Sequence, residues 1–372
     1  MTVDYFKSDV PKLGFGFMRL PEDSNGQKDE KKVTGMVDYF MQNGFSYFDT
    51  AYIYQGSEEI LNRTLVRRYP REQFHITTKL SIYDFETLEQ CKSMFEESMR
   101  RLGIEYLDVC LIHALNERAN KKADELGVWE YLSELKNSGR TKRIGFSFHD
   151  KATVLDDILT RHPETEIVQV QINYIDWDDP QTDACGLYKM VRKHEKPIIV
   201  MEPVKGGLLV PKDDRIEAIF KNAEPSRSPA SWALRFVASL EGISTVLSGM
   251  SNMEQMRDNV RTFKDLAPLS DEEMEIIEEV KREIRAISQY PCTGCRYCIT
   301  HCPQEIDITM VIRNYNVFLR YNPEDPKERY RLFVKKGHLA SDCIHCQACE
   351  EQCPQKIEIS YVMKLAGELF DD

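Results

Sequence analysis

The sequence contains no run of apolar residues long enough to cross a membrane. Its first twenty residues lack the apolar stretch of a secretory signal peptide, so we expect the protein to stay in a reducing cytoplasm. A formal net charge of −12 argues against nucleic acid as a partner, because phosphates repel an acidic surface. No G-x-G-x-x-G follows the first predicted strand, which disfavours a doubly wound dinucleotide-binding sheet.

The composition is that of an ordinary globular protein, with 42% hydrophobic and 30% charged residues. A length of 372 residues predicts one large and one small domain. We place their boundary between residues 287 and 288, directly after a predicted helix at 271–287.

Eight of the eleven cysteines form two runs of the spacing C-x-x-C-x-x-C-x-x-x-C, each followed by proline. This spacing is typical of bacterial [4Fe-4S] proteins, in which the cysteine before proline binds the other cluster. Zinc, the alternative ligand of C-x-x-C pairs, does not require the third cysteine or the proline. We therefore predict one cluster on Cys292, Cys295, Cys298 and Cys353, and a second on Cys343, Cys346, Cys349 and Cys302.

The residues between the two cysteine runs show helical patterns at 308–321 and 327–337. We therefore predict that residues 288–372 form a small, mainly helical, two-cluster ferredoxin-like domain. The other three cysteines, Cys91, Cys110 and Cys185, lie outside the runs and are expected to be ordinary buried residues.

Residues before about 270 alternate between short apolar or β-branched runs and longer amphipathic stretches. Eight such repeats in about 250 residues predict a (β/α)8 barrel. The predicted strands are 13–17, 46–50, 74–79, 107–113, 141–147, 167–173, 197–202 and 244–248.

Polar side chains stand at the ends of five successive predicted strands, from the second to the sixth. They are Asp49, Lys79, His113, Ser147 and, on the sixth strand, Gln171 and Asn173. In a (β/α)8 barrel the carboxyl ends of the strands meet at one face, which carries the active site. The sequence therefore predicts that these residues share one site.

Four separated motifs resemble those of the aldo-keto reductases. They are Phe48-Asp49-Thr50-Ala51-Tyr52-Ile53-Tyr54, Thr78-Lys79, Leu111-Ile112-His113 and Ile144-Gly145-Phe146-Ser147. The resemblance extends over about residues 13–259, and the cysteine-rich tail resembles that of the ferredoxin-fused branch of the superfamily.

The resemblance implies an oxidoreductase that reduces a small carbonyl compound with hydride from NADP(H) or NAD(H). Tyr54 matches the proton donor, Lys79 its cationic neighbour, Asp49 the partner of the lysine, and His113 the fourth member of the tetrad. A nearby ammonium favours phenolate, so we expect Lys79 to lower the pKa of Tyr54.

Cofactor contacts are implied by the same resemblance. Ser147 and Gln171 match residues that hold the nicotinamide carboxamide, and the nucleotide-binding segment after the eighth strand corresponds to Gly249, Ser251, Gln255, Asp258 and Asn259. The sequence departs from the family pattern at two positions near the nicotinamide. Phe148 stands where many family members have Asn, and Met201 or Glu202 stands where an aromatic residue usually stacks on the nicotinamide ring. Lys205 and Arg257 are candidates for the 2′-phosphate of NADP.

Two alternatives follow from the cysteine runs. Nicotinamide moves two electrons together, whereas each cluster moves one, so a barrel-bound flavin is a possible converter in an electron-transfer reductase. A ferredoxin or another redox protein is then a possible partner. The third hypothesis is a non-catalytic redox sensor, because a fold does not fix a function.

Substrate specificity is expected to reside in loops at 81–85, 114–128 and 174–184.

Overall fold

The computed structural model describes residues 6, 12–23, 26–180, 182–210, 213–287, 289, 290, 292, 294, 296, 298–323, 325–334, 337–353 and 355–371. One predicted cluster ligand, Cys295, lies outside these residues. The chain forms two compact units, Met1–Gly206 with Ala230–Met274, and Gly207–Pro229 with Glu275–Asp372. The boundary between residues 287 and 288 stays a prediction.

Eight parallel strands close into a barrel in which each strand pairs with the next and the last pairs with the first. This architecture confirms the predicted (β/α)8 fold, and no predicted strand end differs from the observed one by more than two residues. The strands are β1 (Lys12–Gly16), β2 (Tyr47–Asp49), β3 (His75–Ser81), β4 (Leu107–Leu115), β5 (Thr141–Phe148), β6 (Ile167–Gln171), β7 (Ile198–Met201) and β8 (Ile243–Ser248).

The helices of the described residues fall between and after these strands. They are α1 (Glu30–Gln42), α2 (Ser57–Leu61), α3 (Leu88–Leu102), α4 (Glu117–Leu126), α5 (Val128–Asn137), α6 (Ala152–Arg161), α7 (Ala184–Lys193), α8 (Asp214–Ala223), α9 (Pro229–Ala238), α10 (Met253–Lys264), α11 (Asp271–Ala286), α12 (Ile308–Tyr321), α13 (Pro326–Phe333), α14 (Ala348–Glu351) and α15 (Ile359–Phe370). Across this part of the chain, no helix has the length and apolar character needed to span a membrane.

Helix α4 corrects one expectation, because it occupies most of the segment at 114–128 that we predicted to be a loop. The helix begins at an N-cap, Asn116, whose side chain accepts a hydrogen bond from the backbone N–H of Ala119 at 2.8 Å. It ends at Gly127, whose φ of 72° suits glycine and stops the helix. Helix α5 starts at the next residue, so the crossover from β4 to β5 contains two helices.

The barrel interior is filled by an apolar cluster to which five of the strands contribute: Phe6, Tyr47, Val109, Leu111, Ile167, Ile199 and Leu247. Strand side chains alternate between the two faces of a sheet, so residues two positions further along share the interior face. On β2 and β6 those residues are Asp49 and Gln169, whose side chains are 3.3 Å apart. The barrel therefore changes from apolar to polar toward the carboxyl ends of these strands.

The second unit has its own apolar core. Helices α12, α13 and α15 contribute Ile308, Val311, Ile312, Tyr315, Tyr330, Val362, Met363 and Phe370 to it. The rings of Tyr330 and Phe370 stack with centroids 4.5 Å apart. Cys298, Cys349 and Cys353 are buried in the same core. The helical tail agrees with the predicted class of domain.

The repeat in this unit is longer than the cysteine spacing indicated. The two runs are 51 positions apart. In each, the last cysteine begins the sequence CPQ-x-I-[D/E]-I, whose final isoleucine is the first residue of a helix, α12 or α15. Three positive-φ backbone positions recur at the same offset, as Gly294 and His345, Arg296 and Gln347, and Glu305 and Lys356. The two cysteine segments therefore share a backbone conformation where both are described.

Replacement of Gly145 by alanine tests the closure of the barrel between β5 and β6. A Cβ atom at this residue would lie 2.0 Å from the backbone carbonyl oxygen of Ile167, and backbone cannot move aside as a side chain can. We expect Gly145→Ala to lower the free energy of unfolding of the barrel by about 1–3 kcal/mol.

The matched control is Gly35→Ala in α1, where the nearest atom to the new Cβ is the terminal methyl group of Met253 at 3.8 Å. Alanine is favoured over glycine inside a helix by roughly 0.5–1 kcal/mol, so this variant should be as stable as the parent or more so. Urea unfolding followed by circular dichroism compares the two. Equal stability of both variants would contradict the described register of β5 and β6.

Candidate active site and cluster site

A buried ion pair lies in the barrel between β2 and β3. The Lys79 ammonium donates a hydrogen bond to Asp49 Oδ1 at 2.5 Å and another to the Thr50 carbonyl at 2.8 Å. The side chains of Lys79 and Asp49 are 2% and 6% exposed. Gln169 donates to the second carboxylate oxygen of Asp49 across the barrel. Burial raises the pKa of Asp49, while Lys79 and Gln169 oppose that shift.

Tyr54 and His113 lie next to this ion pair. The Lys79 ammonium is 5.3 Å from the centroid of the Tyr54 ring, and the rings of Tyr54 and His113 meet edge to face with centroids 5.7 Å apart. The structure thus brings all four residues of the predicted tetrad together. A catalytic role for them is not shown by their proximity and stays a prediction.

Local backbone geometry positions the two rings. Tyr54 lies in a tight turn after β2, with its N–H donating to the Ala51 carbonyl at 3.0 Å and its own carbonyl accepting from Ser57 at 2.9 Å. His113 lies beside an irregularity of β4, where Ala114 has a φ of 55° and its N–H donates to Ser147 Oγ at 2.8 Å. The positive φ breaks the regular alternation of β4 directly after His113.

Burial controls the ionisation of both rings. It raises the pKa of the Tyr54 phenol above its ordinary value, and the Lys79 ammonium offsets that shift only in part. Lys79 lowers the pKa of Tyr54 as expected, but the net shift is upward because desolvation exceeds the effect of the ammonium. Burial, together with Lys79 and His149, lowers the pKa of His113 to about 3. Both side chains are thus neutral near pH 7.

Ser147 and Gln171, the predicted carboxamide ligands, lie at the ends of β5 and β6. Ser147 Oγ already accepts a hydrogen bond from Ala114, which leaves its O–H proton to be donated. The amide nitrogen of Gln171 donates to Asp176 Oδ2 at 2.7 Å. A carboxylate accepts hydrogen bonds and cannot donate them, so the Gln171 carbonyl oxygen is the group directed away from Asp176.

The predicted nucleotide residues lie in and after the turn from β8 to α10. Ser251 N donates to Gln255 Oε1 at 2.8 Å, and Ser251 Oγ donates to the Arg19 carbonyl at 2.9 Å. Asn259 donates to Ser248 Oγ at 2.7 Å and ties the helix to the strand, while Asp258 pairs with Arg261 at 2.7 Å. These contacts give Asn259 and Asp258 structural partners within the fold.

Arg19 is a residue that the sequence analysis missed. Its guanidinium donates to the Gly206 carbonyl at 3.3 Å, and its Cβ lies 4.0 Å from the position that a Cβ would take at Gly249. It therefore connects the segments that follow β1, β7 and β8. Its position shortly after the first strand was the available signal, because the rule that site residues follow strand ends applied to β1 as well.

Asp176 and Lys205 form a contact that the sequence analysis did not predict. We placed Asp176 within the predicted specificity loop at 174–184 and gave Lys205 as a candidate for a phosphate contact. The two residues instead form an ion pair with 2.5 Å between Nζ and Oδ1, and Asp176 is 3% exposed. Sequence alone could not show this pairing, because it joins residues from two different crossovers of the barrel.

The second predicted cluster site corresponds to a cavity. Cys302, Cys343, Cys346 and Cys349 all line one cavity. These are the four cysteines that we assigned to one cluster, including Cys302 from the other run. Four thiols around a cavity suit the thiolate coordination of a [4Fe-4S] cube. Of the four residues predicted for the other cluster, Cys292, Cys298 and Cys353 are described, and Cys298 and Cys353 are buried.

Comparison with known proteins places both units in families. Residues 12–282 match the model of the Aldo/keto reductase family, and residues 291–358 match that of the 4Fe-4S dicluster domain. The chain therefore belongs to the aldo/keto reductase family, carries a 4Fe-4S dicluster domain, and is an oxidoreductase.

Curated relatives share about a quarter of their residues with this chain. A 9,11-endoperoxide prostaglandin H2 reductase of Trypanosoma cruzi is 26% identical over 281 residues, covering 74% of this chain and 89% of the relative. An aldo-keto reductase of Mycobacterium avium is 28% identical over 277 residues, covering 73% and 86%. Both matches extend over nearly the full length of the relative.

Solved structures show the same barrel. An aldo-keto reductase from Klebsiella pneumoniae in complex with NADPH aligns with a TM-score of 0.60 at 19% identity, covering 73% of this chain and 91% of that one. The holo form of an aldo-keto reductase from Bacillus halodurans gives 0.60 at 24% identity, covering 73% and 92%. These likenesses show the fold.

The low pKa of His113 leads to a test by pH titration. An exposed histidine titrates near pH 6.5, whereas folded His113 has a pKa of about 3. Between these values the unfolded chain takes up a proton that the folded chain does not. The stability contributed by His113 is therefore complete above about pH 6.5 and is lost as the pH falls toward about 3.

Nuclear magnetic resonance of the histidine rings measures this directly. The signal that disappears in His113→Gln should keep the chemical shift of a neutral imidazole from about pH 8 to about pH 5, the range in which an ordinary histidine titrates. Urea-unfolded protein provides the reference titration. A midpoint close to the reference value in the folded protein would show that the ring is not desolvated as described.

Proposed function

We propose that the barrel reduces the carbonyl group of a small molecule with hydride from NADP(H) or NAD(H), and that Tyr54 supplies the proton. The observation that carries this proposal is the buried Asp49–Lys79 ion pair beside Tyr54 and His113. The bound nicotinamide would supply the hydride. The relatives support the reaction class, since one is a reductase and others are aldo-keto reductases.

Each tetrad residue has a distinct part in the proposed proton transfer. Negative charge develops on the carbonyl oxygen as its carbon is reduced, and neutral Tyr54 holds the proton that this oxygen needs. Lys79 stabilises the phenolate left behind, and Asp49 with the Thr50 carbonyl holds the ammonium in place. Neutral His113 can donate one hydrogen bond to the substrate oxygen without competing as an acid.

The carboxamide of a nicotinamide fits the polarity of Ser147 and Gln171. Ser147 has its hydroxyl proton to donate to the carboxamide oxygen, because its Oγ accepts from Ala114. Gln171 has its carbonyl oxygen to accept from the carboxamide NH₂, because its nitrogen faces Asp176. One donor and one acceptor match the two ends of a primary amide.

The phosphates of such a nucleotide would bind near the end of β8, where a cationic side chain and backbone N–H groups can contact them. Arg19 offers a guanidinium, which binds phosphate oxygens in bidentate fashion. Gly249 follows β8 without a side chain, and α10 begins shortly afterwards at Met253 with the positive end of its dipole. The NADPH bound by the Klebsiella pneumoniae structure supports a nicotinamide nucleotide here.

For the second unit we propose that the two [4Fe-4S] clusters transfer single electrons to or from a ferredoxin or another redox protein. Cys343, Cys346, Cys349 and Cys302 would hold the cluster in the described cavity, and Cys292, Cys295, Cys298 and Cys353 would hold the other. No comparison supports the flavin alternative, and the tetrad geometry favours catalysis over the sensor hypothesis.

The variant Tyr54→Phe tests the proposed proton donor. It keeps the ring and removes the hydroxyl, so reduction of a panel of small aldehydes and ketones should fall by about 10²–10⁴-fold in kcat while the Kd for NADPH stays close to that of the parent. Nicotinamide absorbance measures turnover, and cofactor fluorescence measures binding. Tyr52→Phe is the control, because Tyr52 packs against Arg101 with the guanidinium carbon 4.4 Å from its ring centroid. Unchanged turnover of Tyr54→Phe would sink the proposal.

The role of Cys302 and Cys353 as cluster ligands is tested by Cys302→Ala and Cys353→Ala, prepared without oxygen. Each variant should retain about four iron atoms per chain in place of about eight, because each removes one ligand from one cluster. Cys185→Ala in α7 removes a cysteine outside the runs and should keep the full iron content. Full iron content in both ligand variants would contradict the assignment.

A further inference from the structure

Asp176 is a buried carboxylate that the proposed reaction does not use directly. It follows β6, is 3% exposed, and accepts hydrogen bonds from three side chains. Gln171 and Asn173 each donate an amide nitrogen to Oδ2 at 2.7 Å, and Lys205 donates its ammonium to Oδ1 at 2.5 Å. A carboxylate buried to this degree is stable only when its oxygens are paired. Asp176 therefore accepts three hydrogen bonds, one of them from an ammonium, and this set of donors requires a negatively charged acceptor of this length.

The charge of Asp176 fixes how Gln171 is oriented. A glutamine amide has a donating and an accepting end, and either can face a neutral neighbour. A carboxylate accepts only, so Gln171 must turn its nitrogen toward Asp176 and its oxygen toward the other side. An asparagine at residue 176 would allow both orientations. The acceptor that Gln171 would offer to a carboxamide NH₂ therefore depends on the negative charge of Asp176.

The same carboxylate holds the segment that follows β7. Lys205 has a φ of 51° and Glu202 a φ of 54°, a backbone region that these residues rarely adopt. The Lys205 ammonium is fixed by Asp176, and the Glu202 carbonyl accepts from Asn173 at 3.2 Å. The next residue, Gly206, contacts Arg19 through its carbonyl. Asp176 thus links the residues at the carboxamide end of the proposed site with those at its phosphate end.

We propose that Asp176 is a positioning residue for the nicotinamide nucleotide, which sets the hydrogen-bond polarity of Gln171 and holds the Glu202–Gly206 backbone through Lys205. This inference rests on the proposed function, because it concerns the cofactor of that site. It assigns Asp176 no contact with the substrate or the reacting atoms. Asp176 would therefore control how strongly the protein prefers a ligand with a carboxamide, and this preference can be measured separately from activity.

The test compares Asp176→Asn with the parent for two ligands that differ only in the group Gln171 would recognise. The ligands are NADPH and its 3-acetylpyridine analogue, which has a methyl ketone in place of the carboxamide and so lacks the NH₂. The parent should bind NADPH about tenfold more tightly than the analogue, because one hydrogen bond to the carboxamide contributes about that factor to the affinity. Asp176→Asn should lose most of this preference and bind NADPH about tenfold more weakly. Kd values come from fluorescence titration.

Three further variants separate the contributions. Gln171→Leu should abolish the same preference, and adding Asp176→Asn to it should cause no further loss of preference, because both changes act on one hydrogen bond. Lys205→Met should weaken both ligands by a similar factor and keep the preference. Asp179→Asn is the matched control in the same loop, where Asp179 Oδ1 accepts from the backbone N–H of Thr182 at 2.9 Å; it should bind both ligands as the parent does.

The outcomes distinguish this inference from the proposed function. If the parent binds NADPH and NADH with no measurable affinity, the proposed function fails and the inference fails with it. If the parent prefers the carboxamide and Asp176→Asn keeps the same preference, the inference alone is overturned. Should Asp176→Asn not fold, as judged by circular dichroism and iron content, then a Gln171→Leu variant that retains the parent's preference overturns the inference.

Discussion

The barrel is organised around one buried ion pair between Lys79 and Asp49. Two charges that are almost fully removed from water are stable only with good geometry and further hydrogen bonds. Here the Thr50 carbonyl and the Gln169 amide provide those bonds, and Gln169 reaches Asp49 from the opposite side of the barrel. The pair therefore needs β2, β3 and β6 in register, so the closed barrel and the polar site depend on each other.

This ion pair also sets the chemical state of its surroundings. The Lys79 cation disfavours a second positive charge nearby, which together with burial keeps His113 neutral. The same cation would be expected to ionise Tyr54, yet burial of the phenol exceeds its effect and Tyr54 stays protonated. A protonated phenol beside a fixed ammonium is the arrangement that donates a proton readily once negative charge appears on a neighbouring oxygen. In the proposed reaction, burial keeps the proton on Tyr54 and the fixed cation stabilises the phenolate that would be left.

Much of this organisation could be predicted because it depends on local patterns. The eight strands follow from apolar runs, and Asp49, Lys79 and His113 follow from the rule that polar strand ends share a face. Helix α4 was missed, although Asn116 at its N-cap and Gly127 at its end are residue types typical of helix boundaries. The contacts of Arg19 and the Asp176–Lys205 pair could not be predicted, since they join residues from separate crossovers whose approach is a property of the closed barrel.

In the second unit, too, the sequence predicted some features and not others. Cysteine spacing predicted the ligand sets, and the cavity lined by Cys302, Cys343, Cys346 and Cys349 groups one cysteine of the first run with three of the second. The positive-φ positions that recur 51 residues apart could not be predicted, because different residue types occupy them: Gly294 corresponds to His345, and Arg296 to Gln347. Side chains such as these adopt that backbone only when the surroundings enforce it. If each cluster takes its fourth thiolate from the other run, cluster assembly would constrain both segments at once.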